Sequence, residues 1–162
     1  MIATSSSPDG AILVAVDFSE DSGRALFWAA RQAQLEGSPL IILHVVHDPA
    51  ASPGFYHKPD KNWLRPMIDV ANDMMADFVA RAKADHPDLP ALASASVRLV
   101  SGLPAGRIVE VAEETKAHLV VIGSRGRTGL QSILLGSVAE RVAQICSVPV
   151  VIVKTPASES PQ

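Results

Sequence analysis

Four short runs of almost uninterrupted apolar residues recur along the chain: Ala11–Val16, Pro39–Val46, Leu119–Ile122 and Val148–Val153. A strand reads this way when both of its faces are covered, which is the condition of a parallel sheet flanked by helices. Between the runs the period changes to that of a helix. Leu26, Ala29, Ala30 and Ala33 follow a candidate N-cap, Ser19, with Glu20 and Asp21 in the first turn and Gly37 as the stop. Met67, Ala71, Met74, Met75, Phe78 and Ala82 form a second stripe, which reads as a core face. Pro104 opens a third helix with Ile108, Val111 and Ala112 inward, and Leu135, Val138, Ala139, Val142 and Ile145 mark a fourth. One further strand, Leu92–Val100, alternates enough to lie near a sheet edge. Five strands alternating with four helices imply βαβ units, hence an α/β, doubly wound single domain with a five-stranded parallel sheet and helices on both faces.

The domain is expected over residues 11–154. Residues 1–10, rich in Ser, Pro and Gly, read as a disordered tail, and 155–162 as a flexible one. Residues 47–65 hold Pro49, Pro53, Gly54 and Pro59 with Phe55, Tyr56 and Trp63. That stretch is long for a connection, so it is either functional or mobile.

Composition removes several function classes. A net charge of −3 over 162 residues gives no basic field for nucleic acid. Cys146 is the single cysteine, so neither a disulfide framework nor a multi-cysteine zinc cluster is available, and it reads as a small core residue. No apolar run reaches the roughly 18 residues of a membrane helix, and the N-terminus lacks the regions of a signal peptide, so a cytoplasmic location is the expectation. The five histidines share no helix face, and no metal-binding spacing such as H-E-x-x-H occurs. A P-loop, a dinucleotide fingerprint after the first strand and a nucleophile elbow are all missing.

The fourth strand leads into Gly123-Ser124-Arg125-Gly126-Arg127-Thr128-Gly129-Leu130-Gln131-Ser132-Ile133-Leu134-Leu135-Gly136-Ser137. Taken singly, its glycines end a strand and make turns, and Ser137 caps a helix. Taken together, a strand before, a helix after, small residues at both ends and two cations between them describe a phosphate cradle. Glycine permits close backbone approach, and a helix N-terminus offers unpaired N–H donors and partial positive charge.

The spacing Gly123-x2-Gly126-x9-Gly136-Ser137 resembles the ATP-binding signature of the universal stress protein family. The likeness extends to Ile12–Asp17, Leu43–Val46 and Ser147–Lys154, and is weakest between residues 47 and 95. It implies the strand order 3-2-1-4-5 of the adenine nucleotide α-hydrolase-like fold. It also implies an adenosine contact at Asp17, with Val16 and Phe18 beside it, and adenine held through the backbone of Val45. Gly123, Gly126, Gly136 and Ser137 would form the phosphate and ribose side, with Ile122, Arg125 and Val138 as neighbours. From the residues alone, Asp17 also has a structural reading, as a strand-end carboxylate receiving N–H bonds from its own turn, though a strand end in such a sheet favours the ligand-facing one. His44 reads as a packed, hydrogen-bonded histidine.

The resemblance implies an ATP-binding regulatory protein of the stress response. Mg²⁺ would be carried by the phosphates, and a homodimer would form through Val148–Val153. Neither nucleic acid nor membrane is expected as a partner, and the sequence names no regulatory protein partner. No lysine or acidic cluster for phosphoryl transfer stands in the loop, so hydrolysis is expected to be slow or absent. An adenine-nucleotide hydrolase or transferase, and a nucleotide-free dimeric interaction module, stay open as alternatives.

Overall fold

A computed structural model describes residues 9–48, 64–125 and 135–156. Within them run β1 (Ile12–Ala15), α1 (Glu20–Glu36), β2 (Leu40–His47), α2 (Arg65–Asp85), α3 (Pro90–Ala93), β3 (Ser96–Gly102), α4 (Pro104–Glu114), β4 (Leu119–Gly123), α5 (Ser137–Ile145) and β5 (Val150–Val153). The sheet is parallel throughout, in the order β3-β2-β1-β4-β5. This is the layer arrangement that the periodicity implied and the strand order that the family resemblance implied.

Alternation along the strands divides the core in two. Ile12, Val14, Val16, Ile42 and Val121 face one side, where they pack with Ala25, Leu26, Ala29, Ala30 and Ala33 of α1, Met75 and Val79 of α2, and Leu92 of α3. Leu13, Ala15, Ile41, Leu43, Val45, Val120 and Ile122 face the other, against Ile108, Val111 and Ala112 of α4 and Ala139 and Val142 of α5. Ile12, Leu13, Val14, Ile42, Leu43, Val120 and Val121 are all fully buried. Each such side chain contributes about 1.5–3 kcal/mol relative to exposure.

The limits of α1 follow from local chemistry. The Ser19 hydroxyl accepts a hydrogen bond from the Ser22 N–H at 3.2 Å, satisfying one of the donors a helix start leaves open. At the other end Gly37 adopts φ 70°, a left-handed cap that returns its N–H to the Ala33 carbonyl.

Two expectations are corrected. The third strand does not begin at Leu92: Pro90–Ala93 is a short helix, and β3 starts at Ser96 and runs to Gly102. Pro90 supplies the fixed φ of a first helical turn, and Leu92, 1% exposed, is driven into the core beneath α1. The described residues therefore hold five helices, one more than the periodicity marked. Leu135 precedes α5, whose N-cap is Gly136, and Ser137 is its first residue with no side-chain cap made.

After β1 the chain builds outward through β2 to β3, then returns to add β4 on the other side of β1. Such a reversal opens a crevice beyond the carboxyl ends of the strands, between β1 and β4.

Candidate functional site

A cavity of 410 Å³ occupies that crevice, within the roughly 300–1,000 Å³ range of small-molecule sites. Its floor is made by strand ends. Ala15, Val16 and Asp17 come from β1 and its exit, Leu43, His44, Val45 and His47 from β2, and Ile122 and Gly123 from β4. Arg125, Gly136, Ser137, Val138 and Ala139 bound it on the β4–α5 side. Pro104 and Ile108 of α4 close the opposite wall.

Of the residues singled out from sequence, Val16, Asp17, Val45, Ile122, Gly123, Arg125, Gly136, Ser137 and Val138 all line this cavity. Gly126 lies outside the described residues. Phe18 is not among the lining residues. Its ring turns the other way, 4.3 Å from the His44 ring and 5.7 Å from Phe78 in an edge-on arrangement. Phe18 thus takes a packing place beside the crevice.

Asp17 takes the strand-end place that its structural reading gave it. Its Oδ1 accepts from the Ser19 N–H at 3.0 Å and from the Ser19 hydroxyl, so the carboxylate shapes its own turn. It also faces the cavity. His44 Nδ1 stands 2.7 Å from the Val16 carbonyl, which ties β2 to the exit of β1. Val45, 9% exposed, shares an apolar wall of the cavity with Leu43 and Ile108.

The β4–α5 side is polar. Among the described residues no side chain caps the first N–H groups of α5, and the Gly136 N–H donates to the Ser124 carbonyl at 2.7 Å, which draws the start of α5 against the exit of β4. An uncapped helix start carries partial positive charge and suits an anion. Arg125 adds a full charge. Its Nε lies 3.3 Å from Oδ2 of Asp21, the second residue of α1, and the same oxygen accepts from the Ser124 hydroxyl at 3.4 Å. Oδ1 of Asp21 accepts from the Thr155 hydroxyl.

An apolar slot leading to a cationic, donor-rich end fits a ligand with a flat apolar body and an anionic tail. Among the described residues, no group of three His, Cys, Asp or Glu side chains is placed to hold a metal ion. Sequence reasoning missed His47, Pro104 and Ile108. The signal for the last two was present: in a parallel sheet Gly102-Leu103-Pro104 leaves its strand at the same end as Asp17.

Comparison with known proteins gives a consistent picture. The model of the universal stress protein family matches residues 10–154. Universal stress protein YxiE of Bacillus subtilis is 31% identical over 153 residues, covering 88% of this chain and 97% of that protein. Universal stress protein MJ0531 of Methanocaldococcus jannaschii is 54% identical over a shorter stretch of 61 residues, 38% of this chain and 36% of that protein. A universal stress protein solved in complex with cAMP superposes with a TM-score of 0.61 at 27% identity, over 89% of this chain and 95% of that one. The universal stress protein from Archaeoglobus fulgidus in complex with dAMP gives 0.58 at 27% identity, over 90% and 98%.

Proposed function

Because the chain belongs to the universal stress protein family, we propose that its crevice holds an adenine nucleotide, ATP foremost, and that the protein is a regulatory nucleotide sensor of the stress response. The observation that carries this reading is the polarity of the cavity. Leu43, Val45 and Ile108 offer an apolar wall for a base, while the N-terminus of α5, uncapped among the described residues, and the Arg125 guanidinium stand ready for phosphates. Two structural neighbours were solved with cAMP and with dAMP, both adenine nucleotides with a single phosphate, which supports the adenine half of the assignment.

Asp17 would face the ribose or base, Val45 would read adenine through its backbone, and Gly123, Arg125, Gly126, Gly136, Ser137 and Val138 would surround the phosphates. Val16 and Ile122 would pack beneath. Mg²⁺ would ride on the phosphates rather than on a protein cage. No lysine or carboxylate is assigned to phosphoryl transfer, so occupancy rather than turnover is the signal. The outer edge of β5 would join a second copy, and the complex would act in the cytoplasm.

Two measurements test the reading. Protein purified without added nucleotide should release adenine nucleotide on heat denaturation, identified by mass spectrometry. Titration calorimetry of the emptied protein should return one ATP per chain. An empty crevice in both experiments would leave an interaction module as the better description, and turnover above about 1 s⁻¹ would favour an enzyme.

A further inference from the structure

We propose that Asp21 is a positioning residue for the cationic, phosphate-facing end of this cavity, acting through Arg125. The inference rests on the nucleotide-binding reading and names how one of its charges is aimed.

Asp21 is only 8% exposed, and it ties to α1 two segments that are remote in sequence. Ser124 and Arg125, just beyond β4, approach Oδ2 at 3.4 and 3.3 Å, and Thr155, just beyond β5, donates to Oδ1. A carboxylate that accepts from two hydroxyls on different segments cannot easily rotate to follow a moving partner. It is an anchor, and the partner with freedom to move is Arg125. The contact uses Nε of the guanidinium, and among the described residues Nη1 and Nη2 make no hydrogen bond. A guanidinium held by one edge presents its remaining donors as a fixed fork, the geometry that matches a phosphate. Asp21 also shares its wall with Gly123: a Cβ there would stand 3.0 Å from the Asp21 carbonyl carbon and oxygen. The anchor therefore sits hard against the strand end that floors the cavity.

Charge alone predicts the opposite of positioning. A carboxylate near a phosphate repels it, so removing Asp21 should strengthen ATP binding if the carboxylate is only an electrostatic neighbour. A purely structural role should weaken ATP and adenosine alike. Positioning predicts a loss confined to the phosphates. The experiment is calorimetry of ATP and of adenosine with the full chain, for wild type, Asp21→Ala, Arg125→Gln and the double variant. Wild type should prefer ATP. Arg125→Gln should cut that preference about tenfold, as expected for loss of a charged hydrogen bond. Asp21→Ala should cut it nearly as far, and the double variant should fall no further than Arg125→Gln alone. Should Asp21→Ala fail to fold, Arg125→Lys keeps the charge but cannot engage Asp21 and a phosphate as one rigid fork, and it should lose most of the preference. An unchanged or increased ATP preference in Asp21→Ala overturns the proposal while leaving nucleotide binding intact. Binding of neither ligand to wild type overturns both.

Discussion

At the scale of single residues, two positions beside the crevice hold the backbone where ordinary side chains or ordinary dihedrals would not. Gly123 was marked in the sequence as a place for close approach to a ligand. Among the described residues, what comes closest is protein: an added Cβ would meet the Asp21 carbonyl at 3.0 Å and the Asp21 Cβ at 3.2 Å. Those atoms belong to the first turn of α1 and have little room to yield. Gly123→Ala should therefore cost about 1–3 kcal/mol, the range for overpacking, read as a lower urea midpoint at unchanged slope. Phe18 has φ 67°, the left-handed region, which costs a non-glycine residue roughly 1 kcal/mol. Glycine would relieve that strain but would remove a ring packed on His44 and Phe78. Truncating a buried phenylalanine costs about 3–5 kcal/mol, and Phe18 is only half-buried, so the lower end applies. Packing outweighs strain, and Phe18→Gly should destabilise by about 2 kcal/mol in the same denaturation experiment. No sequence pattern could have announced this, because the aromatic partners come from β2 and α2.

At the scale of elements, the far end of α1 carries a titrating contact. His118 Nε2 lies 2.9 Å from Oε2 of Glu36, and Gln32 and Ser38 also donate to that carboxylate. Burial would raise the Glu36 carboxyl, but the hydrogen bonds from Gln32, His118 and Ser38 and the nearby imidazole outweigh it and hold it below 4.5. A carboxyl lowered by folding binds protons less readily in the native state than in the unfolded one. Its stabilising effect is complete above the unfolded value and fades as pH falls through the native value. Wild type should therefore lose more stability than Glu36→Gln between about pH 6 and pH 3, measured by urea midpoints across that window. The elements themselves were mostly legible. The apolar runs gave β1, β2 and β4 to within a residue or two, and Ser19 and Gly37 bounded α1 correctly. Leu92–Val100 misled because its apolar spacing is short enough to serve either period. Pro90 at the first turn and the tertiary packing of Leu92 under α1 together decide that the first part is helical.

At the scale of the whole molecule, the crevice was foreseeable from topology because every strand of a parallel sheet ends on the same side. The α4 wall was harder to see, since it depends on the strand order rather than on any local signal. The sheet also leaves β5 at its margin, with β4 as its only strand neighbour among the described residues. The register pairs Val120 with Val150 and Ile122 with Ile152, and the carbonyls of Pro149 and Val153 accept from Val120 and Ser124. In a parallel ladder, alternate residues point their polar groups to opposite sides. Pro149, Val151 and Val153 thus serve β4, while Val150 and Ile152 turn their N–H and C=O outward. An apolar edge whose outward backbone groups have no strand partner among the described residues invites a second strand, and pairing with another copy of β5 is the association proposed above. Ile152→Pro removes one outward donor and none that β4 uses, and proline is tolerated in an edge strand on that side. The lost packing of the Ile152 side chain would lower stability by about 1–2 kcal/mol, less than would unfold an ordinary domain. Sedimentation velocity should show wild type as a dimer and Ile152→Pro as a folded monomer, with the circular dichroism of the two alike. A monomeric wild type, or a variant that stays dimeric, would place the contact elsewhere on the molecule.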